Sequence, residues 1–236
     1  MKKKIEERKV KMNRTVKRIV EGEPGIDGAG VHLTHVLSRH TMHDSDPLLL
    51  LDAFDSTDPK HYTAGFPMHP HRGIETISYV YSGSMVHRDS LGNEDAITDG
   101  GMLRLLAGRY EGHEGYLSKY QAVDYYDVHI APGKRFEIKV DENRAITLFT
   151  LIGEAEIEGQ TVEHFRAAIL NSGDTLVIDN KTEEENAVLV FFSEPIKEPI
   201  AWRPGPIVMN TEEELDQAFD EIKKGTFIKD AIHMNK

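Results

Sequence analysis

Thr76-Ile-Ser-Tyr-Val-Tyr-Ser-Gly83-Ser-Met-Val86 reads against Ile146-Thr-Leu-Phe-Thr-Leu-Ile-Gly153-Glu-Ala-Glu156. Each stretch is a run of β-branched and aromatic residues, a glycine turn and the start of a second strand. A further glycine turn and strand follow each one. They are Asp99-Gly100-Gly101-Met102-Leu103 in the first half and Ser172-Gly173-Asp174-Thr175-Leu176 in the second. Gly83 and Gly153 stand 70 positions apart. A repeat of that size predicts two small β-barrels in tandem.

Working outward, other short runs rich in Val, Ile, Thr, Tyr and Phe lie between Gly, Asp and Asn signals. The expected strands are Ile74–Tyr81, Met102–Leu106, Arg135–Val140, Thr147–Ile152, Thr175–Ile178 and Ala187–Phe192. Regular spacing of this kind suggests a sandwich or barrel. Gly25-Ile-Asp-Gly28-Ala-Gly30 does not have the spacing of a dinucleotide fingerprint and reads as a turn. One helix is expected near the end. Thr211 and Glu214 form a capping box, and Leu215, Ala218, Phe219 and Ile222 follow at helical spacing. Gly225 stands at the C′ position. The apolar stripe predicts packing on the β core.

The motif with chemical potential is His69-Pro70-His71-Arg72-Gly73-Ile74-Glu75. In an extended chain alternate side chains share a face, so His69, His71 and Glu75 point the same way. Two histidines one residue apart can converge on one metal, and Pro70 stiffens the backbone between them. A third nitrogen must come from elsewhere. The best candidate is His113, with Glu111 or Glu114 beside it. The chain holds 12 histidines. His32, His35, His40, His43, His61, His129, His164 and His233 lack such company and read as surface or internally satisfied residues. In the second half the equivalents of His69, His71 and Glu75 are Lys139, Asp141 and Ala145, which make no metal site. The first half is therefore expected to hold the metal.

Composition narrows the classes. With 236 residues the chain is long enough for a full hydrophobic core. It has no cysteine, which excludes a disulfide scaffold, a thiolate zinc site and a cysteine nucleophile. Against 28 Lys and Arg stand 40 Asp and Glu, a formal net charge of -12. Such a surface argues against direct nucleic-acid binding. No apolar run approaches a membrane span, and the charged start lacks the apolar region of a signal peptide. A cytoplasmic location is the expectation.

His69–Glu75, Tyr79-Val-Tyr-Ser-Gly83 and His87-Arg-Asp-Ser-Leu-Gly-Asn93 together resemble the pirin family. So do Pro47-Leu-Leu-Leu-Leu-Asp-Ala-Phe54, Ala107-Gly-Arg109 and the later Glu198-Pro-Ile and Gly205-Pro-Ile-Val-Met-Asn-Thr211. The match runs in order from about Arg14 to Phe227. The resemblance implies a mainly β bicupin: a metal-binding cupin barrel over residues 14–122, a metal-free barrel over 123–236, and a C-terminal helix. It implies His69, His71 and His113 as ligands of Fe(II) or another divalent transition metal. Glu114 is the candidate fourth ligand, and Glu114 or Glu75 the catalytic base. The family's third histidine sits in a His-x-Glu motif, but here Gly115 occupies the glutamate position. A block of a few dozen residues between His113 and Tyr125 is also missing relative to the pattern, which shortens the segment between the barrels. The implied activity is a dioxygenase reaction similar to that of quercetin 2,3-dioxygenases, with a small aromatic flavonol and O2 as substrates. The alternatives are a metal-dependent regulator that binds transcription factors or metabolic enzymes, and a bicupin that has lost its chemistry.

Overall fold

The computed structural model describes residues 11–82, 84–88, 94–98, 104–110 and 112–229. It is mainly β, with one long helix. The chain divides into two units. The first is drawn from Met1–Ile26, His32–Thr57 and Leu103–Ile196, the second from Asp27–Val31, Asp58–Met102 and Lys197–Lys236.

The first unit is built on two antiparallel sheets. One runs in the order β1 (Val16–Val20), β15 (Ala167–Leu170), β12 (Ala145–Ile152), β17 (Asn186–Ser193), β10 (Val123–Ile130) and β7 (Arg104–Ala107). The other runs β11 (Arg135–Lys139), β16 (Thr175–Asp179), β13 (Ala155–Ile157) and β14 (Gln160–Val162). Alternation explains the core between them. Tyr126, Val128 and Ile130 of β10, Ile146 and Leu148 of β12, and Val188, Val190 and Phe192 of β17 meet Leu176 and Ile178 of β16. The β12 strand, Gly153 at φ 68° and β13 reproduce the strand, turn and strand expected of the second repeat. β1 and β7, from the first half of the sequence, flank this sheet. A smaller sheet pairs β2 (Glu23–Asp27), β3 (Val31–Leu37) and β4 (Leu51–Ala53), with α1 (Met42–Ser45) between the last two. Gly25 thus belongs to a strand, and only Gly28 to Gly30 make the turn expected over the whole stretch.

In the second unit β5 (Ser84–Arg88) pairs with β6 (Glu94–Thr98), and β18 (Ala201–Trp202) with β19 (Val208–Met209). The strand expected over Ile74–Tyr81 is not formed. β-propensity is realised only against a neighbouring strand, and among the described residues none pairs with 74–82. Gly83, the turn from Asp99 to Leu103, and His233 lie outside the described residues.

Helix α2 (Glu212–Lys224) follows its sequence closely. The Thr211 hydroxyl accepts from Glu214 N at 3.2 Å, and the Glu214 carboxylate accepts from Thr211 N at 3.2 Å. Gly225 closes the helix at φ 69°. Leu215 and Ala218 pack with Ala201, Ile207 and Phe227, so the stripe has its own small core. Ile222 stays outside it. Among the described residues no helix is long and apolar enough to cross a membrane.

Candidate metal centre

The chain around His69 and His71 is extended but joins no sheet beyond one parallel bridge, Arg72 to Ile207. The spacing nonetheless brings the two rings together. Their centroids are 4.7 Å apart and their planes meet at 73°. His69 Nδ1 lies 2.7 Å from the Pro67 carbonyl oxygen. A carbonyl oxygen only accepts, so Nδ1 carries the hydrogen, and in the neutral ring Nε2 is the nitrogen with the lone pair. This is the state a metal-binding imidazole needs, with one nitrogen held and the other available. Glu75 is exposed in the loop that follows.

The backbone under this pair is held from the far end of the sequence. Arg72 N donates to Pro206 O at 3.4 Å, and Val208 N donates to Arg72 O at 3.0 Å. Gly73 sits at φ 76°, and a Cβ there would lie 1.7 Å from Val208 O. Only glycine permits that approach. Sequence reasoning quoted Arg72 inside the motif and assigned it nothing. Its signal was position: it lies between the second histidine and an obligatory glycine.

His113 and Glu114 form β9 (His113–Glu114), paired with β8 (Arg109–Tyr110) in the first unit. Tyr110 faces His113 and Arg109 faces Glu114, with no break in register. Neighbours on a strand point to opposite faces, so Glu114 turns away from the face of His113. Its Oε1 accepts from Arg109 Nε at 2.6 Å, and this carboxylate holds the Arg109 guanidinium above its usual range. Gly115 donates its N–H to Gly108 O. A Cβ at Gly115 would meet Leu105 O at 2.9 Å, so the position is closed to a side chain. Glu111 lies outside the described residues.

Several histidines set aside on sequence grounds have ordinary partners. His35 Nδ1 pairs with Asp52 Oδ1 at 2.8 Å, His129 Nδ1 with Glu185 Oε1 at 2.9 Å, and His164 packs on the Phe165 ring. In the second half Lys139 Nζ donates to Thr175 Oγ1, and Asp141 caps Asn143 N. Lys139 and Asp141 thus serve structural hydrogen bonds. Imidazole nitrogens with carboxylate oxygens nearby in sequence suit a transition cation rather than calcium or magnesium, so His69 and His71 fit the expected group.

Two family models match the sequence: Pirin over residues 30–129 and the Pirin C-terminal cupin domain over 125–228. A pirin-like protein of Caulobacter vibrioides is 32% identical, and the alignment covers 91% of this chain and 99% of that one. The chain belongs to the pirin family. It is a bicupin of that family, and its alignment with the Caulobacter pirin runs over 276 positions. The whole chain has 236 residues, so at least 40 of those positions (276 less 236) have no counterpart here. Among solved structures, a quercetin 2,3-dioxygenase of Acinetobacter baumannii shares the fold, with a TM-score of 0.77 and 21% identity over 91% of this chain and 98% of that one. A bacterial pirin of Escherichia coli in complex with nickel(II) gives 0.56 and 15% over 76% and 99%.

Proposed function

We propose that this chain is a metal-dependent dioxygenase for a flavonol-like substrate, with His69, His71 and His113 as cation ligands. The observation that carries the reading is the convergent His69 and His71 pair with His69 Nδ1 already engaged by Pro67 O. The quercetin dioxygenase fold of the Acinetobacter protein supports the substrate class. Bound there, Fe(II) or a related cation would activate O2 toward a chelating substrate. The chain itself must supply a base for the flavonol hydroxyl proton, and Glu75 or Glu114 fills that role. Glu114 would join His113 on the cation only through a local rearrangement of β9 that turns it to the same face and releases Arg109, and an exposed ion pair is a weak competitor for a carboxylate.

His69→Ala and His71→Ala should each abolish stoichiometric metal, whereas His129→Ala and His164→Ala should retain it. Elemental analysis of purified variants decides this, and metal retained in both of the first two would sink the assignment. Fe(II)-loaded protein mixed with a flavonol and air should consume oxygen and bleach the flavonol band. The arginine-bound Glu114 and the closed position at Gly115 favour a second reading, a regulatory metal protein without turnover. No oxygen uptake by an iron-replete sample would support it.

A further inference from the structure

We propose that Arg72 is the positioning residue of the metal centre and that helix α2 and Phe227 set the metal affinity of the His69 and His71 pair through it. This rests on reading that pair as ligands. The Arg72 guanidinium is fixed on both edges and one face. Its Nη1 donates to Glu221 Oε2 at 2.7 Å, its Nη2 to Phe227 O at 2.8 Å, and its Cζ sits 3.9 Å from the Phe227 ring centroid. The partners are themselves fixed. Glu221 Oε1 accepts from Gln217 Nε2 at 3.1 Å and pairs with Lys229 Nζ at 3.0 Å. Phe227 is buried with Leu215, Ala218 and Ile207.

The clamp bears directly on the histidines because it anchors the residue that follows His71 in the chain. Residues 74–82 join no strand, and the bridge to Ile207 is the single β contact of residues 66–82 among those described. His71 is bonded directly to Arg72. Fixing the Arg72 backbone and side chain therefore fixes the His71 Cα and narrows the directions its ring can take. Two ligands on one segment bind a cation together only when their rings already converge, and ordering them at the moment of binding weakens affinity. Lysine cannot replace the arginine. It would keep a charge for Glu221 but lose the second edge and the flat face on Phe227.

The test is calorimetric titration of the metal-free full chain with Ni(II), alongside thermal melting. Arg72→Lys and Glu221→Gln should each weaken Ni(II) binding by roughly 10–100-fold, the range seen when a residue behind a ligand is changed. Glu221→Gln is nearly isosteric, so it reports even if an Arg72 variant fails to fold. Thr211→Ala removes the helix cap without touching Arg72. It should lower the melting temperature and leave Ni(II) affinity unchanged. Loss of affinity in Thr211→Ala to the same degree would mean that general destabilisation is at work and would overturn the proposal. So would unchanged affinity in both clamp variants while His71→Ala abolishes binding, with the site assignment left standing. Unchanged affinity in His71→Ala would overturn the site and the clamp together.

Discussion

At position 115 a missing side chain is one of the two departures of this sequence from its family pattern. The glycine there is packed under Leu105, whose carbonyl oxygen and Cγ lie 2.9 and 3.1 Å from where a Cβ would stand. Gly115→Glu should therefore cost stability, on the order of 1–3 kcal/mol as other overpacked sites do, and should not tighten Ni(II) binding. Urea midpoints and titration of the variant check both halves. Arg14 shows the opposite relation between sequence and structure. It is 1% exposed. Its guanidinium donates to the carbonyls of Gly173, Arg144, Asn171 and Asp141 at 2.7–3.1 Å. Burial pushes its pKa down from the ordinary value. Nothing near Arg14 in sequence announces this, because the partners lie 127 to 159 residues away. Arg14→Lys cannot reach all four and should destabilise the fold by on the order of 3 kcal/mol in urea unfolding.

Helix α2 was legible because capping, periodicity and the closing glycine are all local signals. Strands β12, β16 and β17 were legible for a similar reason, since their apolar residues run together, and β11 because Phe136 and Ile138 alternate with charged residues. β10 was not expected, although it lies between β17 and β7 in the large sheet. Asp124, Asp127 and His129 interrupt its apolar pattern. Each has a partner supplied by the fold: Arg144 for Asp124, Arg104 for Asp127 and Glu185 for His129. The expected strand at Ile74–Tyr81 failed for the converse reason: it has the composition of a strand but pairs with no neighbour among the described residues. The last turn of α2 carries a pH dependence. Hydrogen bonds from Arg72, Gln217 and Lys229 lower the Glu221 pKa from 4.5 to about 2. The unfolded chain therefore takes up this proton first as pH falls. The stabilisation from Glu221 is complete above about 4.5 and is lost as pH drops from there through about 2. The difference in urea midpoint between the native chain and Glu221→Gln should be constant near neutrality and shrink across that acid window. A constant difference down to pH 2 would rule out the mechanism.

For the molecule as a whole, the repeat foretold the double β organisation, and the second half carries it out strand by strand. The proposed site was read from the sequence as a pair, His69 and His71, from their spacing of one residue, and the two rings do lie 4.7 Å apart. Its support was not legible, because Arg72 meets Glu221 and Phe227 only through folding. Metal and fold should be linked. Ni(II) at 100 times its dissociation constant should raise unfolding free energy by about 2.7 kcal/mol, since only the native state offers the converged pair. That gain should vanish in His71→Ala, as measured by thermal melting at fixed Ni(II). The clamp also has a consequence for biosynthesis. Arg72 leaves the ribosome 155 residues ahead of Phe227. At typical elongation speeds that interval is on the order of ten seconds. Throughout it the nascent chain displays both histidines without the arginine's anchor. On the proposed assignment, high-affinity loading waits for late translation, and a free cation meeting the unfinished polypeptide finds only a loose, low-affinity precursor.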